Sequence, residues 1–286
     1  DGHVTVPALL AGPPAFLDQT LLLPLADGLI YRYVPGQGLT SPDRLEPGPL
    51  WRIERRESGA APALLCPTGK DSFLSSDGSR TLKRWLWPAG SRWNDGGEWT
   101  LRERPAAPPL PLFRKDGSAS HFLLADTTGN VWLYAVDRIE APQRRWRPGS
   151  ALPLGQPTSA FGLTQDAQGR WRVTYTVANR LVVCLDPHQD APLWVHQPAE
   201  EHAAALVGPP LPLPDGDWLT VDLAGRITRL AGKTGQSLAT SRLHLPGIFP
   251  IAAPGLTPGQ DVLLPLSDGS FVLHPLPAPP AKTPAP

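Results

Sequence analysis

A chain of 286 residues that is 41% hydrophobic can bury a sizeable core, and it contains no apolar run near the ~20 residues that a membrane-spanning helix needs. Lys plus Arg and Asp plus Glu stand at 26 each, so the broad electrostatic attraction behind nucleic-acid and anionic-membrane binding is missing. Composition therefore argues against a nucleic-acid partner and against membrane insertion.

In chain order, the first segment is Val4-Thr5-Val6, a short β-prone run that precedes the first Pro-rich stretch, Gly12-Pro13-Pro14. There is no Met, which predicts that Asp1 follows a processing site or a cut inside a longer polypeptide. The first unit, 12–56, carries Leu22-Leu23-Pro24-Leu25-Ala26-Asp27-Gly28 and then Trp51. In 57–104 the turn is Asp77-Gly78 and the Trp is Trp99; in 105–151, Ala107-Pro108-Pro109 leads to Thr128-Gly129 and Trp146. The unit 152–200 has Asn179-Arg180 and Trp194, and 201–244 has Gly208-Pro209-Pro210, Ala224-Gly225 and Leu238 in the place of the Trp. In 245–275, Leu263-Leu264-Pro265-Leu266-Ser267-Asp268-Gly269 repeats the motif of the first unit after 241 residues, five periods of about 48. Trp51, Trp99, Trp146 and Trp194 give the same period, with spacings of 48, 47 and 48 residues.

Each unit reads as four short strands joined by tight turns, seen best in the fifth: Leu211-Pro212-Leu213, Trp218 to Asp222, Arg226 to Leu230, and Ser237-Leu238-Ala239. One such sheet buries too little alone, so neighbours must stack their faces, and ring closure protects the edges. The predicted fold is all-β: a six-bladed β-propeller of four-stranded antiparallel blades. The last unit ends after its third strand, so residues 1–11 are expected to complete it and close the ring. The Pro-rich tail, 276–286, cannot supply ladder donors and reads as a linker or extended end.

Gly129-Asn130-Val131-Trp132-Leu133-Tyr134-Ala135-Val136-Asp137 leading to Trp146, Leu181 to Asp186 leading to Trp194, and Gly225 to Leu230 followed by Lys233-Thr234-Gly235 resemble the bacterial pyrroloquinoline-quinone-like (WD-like) propeller repeat. That family includes quinone-dependent alcohol dehydrogenases and a non-enzymatic outer-membrane assembly lipoprotein. The resemblance implies the blade pattern. It does not extend to the cofactor, because the adjacent cysteine pair of many such dehydrogenases and the Glu, Asn and Asp set for calcium and quinone are not recognisable.

Motifs for chemistry resolve into turns. Gly232-Lys233-Thr234 lacks the earlier Gly of a phosphate loop, and Ser75-Ser76-Asp77-Gly78-Ser79 lacks the Trp of an Asp box. The histidines, His196 and His202 closest among them, show no metal-ligand spacing, and Asp215 and Asp217 flank a turn where carboxylates cap amides. Cys66 and Cys184 sit in apolar runs and read as buried thiols. No catalytic residue, cofactor site or metal site is assigned. One patch exceeds what the fold requires: Arg84, Trp85, Trp87, Arg92 and Trp93, a candidate partner-binding surface by its aromatic and guanidinium content. The alternative is that Trp85 or Trp87 packs between blades with Arg stacked on the rest. The sequence thus points to a non-catalytic binding or scaffolding module with a protein partner, in a larger bacterial protein that is periplasmic or extracellular. The competing reading is a propeller enzyme, quinone-dependent or carbohydrate-active, with its site at the channel.

Overall fold

The computed structural model describes residues 6, 8–18, 20–33, 46–52, 62–86, 94–150, 152–166, 168–199 and 204–278. Among them there is no helix; the strands form six antiparallel sheets. Sheet 1 holds β1 (Ala15–Leu17), β2 (Thr20–Pro24), β3 (Leu29–Tyr33) and β4 (Glu46–Arg52). Sheet 2 holds β5 (Leu64–Pro67), β6 (Ser72–Ser76), β7 (Thr81–Leu86) and β8 (Asn94–Thr100). Sheet 3 holds β9 (Leu110–Phe113), β10 (Ala119–Ala125), β11 (Val131–Ala135) and β12 (Arg144–Trp146). Sheet 4 follows with β13 (Gly162–Gln165), β14 (Trp171–Val177), β15 (Leu181–Leu185) and β16 (Trp194–His196). Sheet 5 has β17 (Leu211–Pro212), β18 (Trp218–Val221), β19 (Arg226–Leu230) and β20 (Ser237–Arg242); sheet 6 has three strands, β21 (Gly255–Leu256), β22 (Val262–Pro265) and β23 (Phe271–His274).

The strands within every sheet pair in sequence order, which is what tight hairpins between short β-prone runs dictate. The turn between the second and third strand carries a left-handed residue in every sheet: Gly28, Gly78, Gly129, Gly225 and Gly269, and in sheet 4 the pair Ala178 and Asn179 at φ 52° and 53°. Asp side chains fix several of these turns; Asp222 Oδ1, for example, accepts the amides of Ala224 and Arg226, both at 2.9 Å.

The chain divides into two compact units, residues 1–127 with 131–145, and residues 128–130 with 146–286. In the first unit, Leu17, Leu22 and Ile30 of sheet 1 pack on Phe73 and Trp85 of sheet 2. The other face of sheet 2, through Cys66, Leu74 and Leu82, packs on Phe122, Leu124 and Trp132 of sheet 3. In the second unit, Val182, Cys184 and Trp194 of sheet 4 meet Trp218 and Leu230 of sheet 5, whose opposite face, Leu219, Val221 and Ile227, meets Val262 and Leu264 of sheet 6. Alternation along each strand thus feeds both faces of an inner sheet into cores, the outcome expected when no single sheet can bury its residues alone.

Two boundaries differ from expectation. Of the segment 1–11 assigned to the last unit, Leu9–Ala11 pair in sheet 1 instead: the Ala11 amide donates to the Pro24 carbonyl at 2.7 Å, and Leu10 bridges Leu25. Extended backbone beside a free strand end takes the nearest ladder. The Pro-rich tail also begins attached, since Leu276 packs on the sheet 5–sheet 6 core and the Pro277 carbonyl accepts from Arg229 Nη1 at 3.4 Å. Val4 and Thr5, named for the closing strand, lie outside the described residues.

Candidate functional site

An open groove of about 1000 Å³ lies at one end of sheets 4 and 5, a size within the range of ligand sites. Three loops build it. The β13–β14 turn supplies Asp166 and Arg170 and leads to Arg172; the β17–β18 turn supplies Asp215 and Asp217; the β19–β20 turn supplies Lys233 and Thr234. The last two turns pass so closely that a Cβ on Gly232 would lie 1.9 Å from the Gly216 carbonyl oxygen, so only glycine fits there.

Two arginines organise the walls. Arg172 bridges two carboxylates, Asp166 Oδ2 at 2.7 Å and Asp186 Oδ2 at 2.9 Å. Arg229, whose side chain is 8% exposed, bridges Asp217 Oδ2 at 2.9 Å and Asp215. The carboxylates also receive backbone donors: Asp166 Oδ1 accepts the amides of Gln168 and Arg170, and Asp217 Oδ1 accepts the Gly232 amide at 3.0 Å. For Asp166, burial pushes the pKa up, but the hydrogen bonds from Arg170 and Gln168 and the charge of Arg172 outweigh it and hold the carboxyl below its ordinary value. Asp166, Asp186, Asp215 and Asp217 are matched by Arg170, Arg172, Arg229 and Lys233, so the groove carries no net charge. Charge-assisted hydrogen bonds of this kind hold the walls rigid, which suits recognition through hydrogen bonds.

The sequence identified Asp215 and Asp217 as amide caps, and Asp215 Oδ1 does accept the Asp217 amide. It did not identify Arg229 or Arg172 as their partners. The signal was present: in β19 and β14 each arginine sits within a strand rich in β-branched residues, where a guanidinium withdrawn from water requires carboxylates opposite.

The aromatic patch is divided. Trp85 is an interior residue, 4% exposed, with Nε1 donating to Ser75 Oγ at 2.8 Å, its ring stacked near Phe73 and Lys83 Nζ 4.6 Å from its centroid. Arg84 Nη1 donates to the Val136 carbonyl at 3.2 Å, tying β7 to the residue after β11. Trp87, Arg92 and Trp93 lie outside the described residues, as does His202. Ser75 and Ser76 end β6 and Asp77 to Ser79 belong to the connection to β7, while Gly232 to Thr234 form a turn. Among the described residues no group of three His, Cys, Asp or Glu side chains is placed to hold a metal ion. No protein-family model matches the chain, and none of the curated proteins matches it either.

Proposed function

We propose that the chain is a non-catalytic binding and scaffolding module that docks a protein partner, within a larger bacterial extracytoplasmic protein. The observation that carries this reading is the groove at the end of sheets 4 and 5, wide, rimmed by Arg170 and Lys233, with carboxylates neutralised by buried arginines. Such a surface offers fixed hydrogen-bonding geometry to a partner of complementary charge. The same proposal makes the six sheets the blades of a propeller with pyrroloquinoline-quinone-like or WD-like repeats, its ring closed by the N-terminal strand completing the last blade. In support, sheet 6 has three strands where the others have four, and its outer strand β23 exposes Phe271 and Leu273 at 67% and 58%. An apolar edge of this kind invites another strand.

The test is affinity capture with the immobilised chain from a bacterial envelope extract, repeated with the double charge reversal Arg170→Glu and Lys233→Glu. A partner retained by the native chain and lost with the reversed one is expected. Capture indifferent to the reversal would remove the groove from the reading. Addition of the quinone with calcium is expected to leave the thermal midpoint unchanged, and a saturable rise would move the chain to the quinoprotein enzymes.

A further inference from the structure

At the other end of sheets 4 and 5, around the β18–β19 turn, lies a second cavity of about 170 Å³, lined by His196, Leu206, Thr220, Asp222, Thr228 and Thr240 among others. Thr220, Thr228 and Thr240 are direct cross-strand partners, so they form one row across β18, β19 and β20. The equivalent row is apolar in sheets 3 and 6, and in sheet 2 it is Ser75 opposite Lys83. In sheet 3 Leu124 stands opposite Trp132, in sheet 6 Leu264 stands opposite Val272, and each of these side chains belongs to a packed cluster. Where sheets 3 and 6 place hydrocarbon, this interface places three hydroxyl groups in line, and such departures from a fold's own pattern concentrate at functional sites.

Asp222 supplies an independent observation. Its side chain is 7% exposed, and Oδ2 comes only within 3.9 Å of Arg226 Nε, beyond hydrogen-bond range. Oδ1 is occupied by the turn amides of Ala224 and Arg226, whereas Oδ2 opens onto the cavity as an acceptor that no described residue hydrogen-bonds. An acceptor so placed is free to take a hydrogen bond from a donor that enters the cavity. On the opposite wall burial pushes the His196 imidazole below its ordinary pKa, against a hydrogen bond with the Gly235 backbone, so it is uncharged at neutral pH. Asp222 and Arg226 offset each other, which leaves no net charge to attract an ion. Hydroxyl groups both donate and accept, so the complementary molecule does the same. Leu206 offers it a hydrocarbon wall, and the volume equals that of about six waters at ~30 Å³ each.

We propose that this cavity binds a small uncharged polyhydroxylated molecule, of monosaccharide or cyclitol size, with one hydroxyl donating to Asp222 Oδ2 and others bonded to the threonine row. The site is separate from the groove and does not depend on a protein partner.

Ligand-observed saturation-transfer NMR and calorimetric titration of the full chain with D-glucose, D-galactose and myo-inositol test this. At least one is expected to bind saturably at a single site, and D-gluconate, which brings a carboxylate to Asp222, is not. Thr240→Val keeps shape and β-branching while removing one hydroxyl, and is expected to weaken binding about tenfold. Asp222→Asn is expected to weaken it as well; because Asp222 also caps its turn, the threonine variant decides the matter if the asparagine variant fails to fold. Absence of saturable binding by all three compounds overturns the proposal. So does binding unchanged by Thr240→Val, or tighter binding of gluconate.

Discussion

The indole N–H of the repeat Trp acts as a staple between successive structural elements. Within the second unit Trp146 Nε1 donates to the Gln189 carbonyl and Trp194 Nε1 to the Gly232 carbonyl, both at 3.0 Å, while in the first unit Trp99 Nε1 reaches Glu140 Oε1 at 3.1 Å. Trp146→Phe keeps most of the ring and removes the N–H hydrogen bond of a fully buried indole, so it should cost about 0.5–1.5 kcal/mol in urea unfolding. Trp99→Phe, which releases an exposed carboxylate to water, should cost less than Trp146→Phe in the same measurement. The pH response also belongs to single residues. His196 holds a proton less tightly folded than unfolded, so its stabilising contribution is complete above the ordinary value of 6.5 and is lost as the pH falls through the folded value. Asp166, also lowered, contributes fully above 3.8 and loses that contribution as the pH falls further. Urea midpoints across this range should show both declines, and His196→Gln should flatten the upper one. The Trp spacing was legible because a large side chain recurs at one place in a repeat; its carbonyl partners were not, because Gln189 and Gly232 contribute only backbone.

At the level of the element, turn chemistry sets the strands. Most of the strands were readable, and the fifth unit agrees to within a few residues, because Asp-Gly turns separate short alternating runs there. The groove was not readable, since its arginines act across turns that are neighbours only after the sheets stack. The β14–β15 turn is the exception to the glycine rule, with Ala178 held at φ 52°. Left-handed alanine costs about 1–2 kcal/mol, so Ala178→Gly should raise stability by somewhat less than that once the extra flexibility of the unfolded glycine is offset. The opposite case is Gly235, at φ 69°, where a Cβ would come within 2.5 Å of the Trp194 ring. Gly235→Ala should lower the thermal midpoint and displace the indole, which Trp fluorescence would register.

For the whole molecule, stability comes from sheet-to-sheet packing inside each compact unit, two apolar interfaces in the first and two in the second. The count of units was legible from the repeat, whereas the division into two compact units was not, because a regular period marks no unit as a boundary. Each body contains one buried thiol: Cys66 in the first, pushed above its ordinary pKa by burial, and Cys184 in the second, pushed up to about 12, chiefly by burial. Both should resist a thiol reagent in the native protein and react only as their surroundings open. Mass spectrometry of partly labelled chains in rising denaturant would then time the loss of each half separately. Simultaneous labelling would mean that the halves melt as one, and staggered labelling would name the weaker, so two inconspicuous sulfur atoms give the chain its own pair of internal clocks.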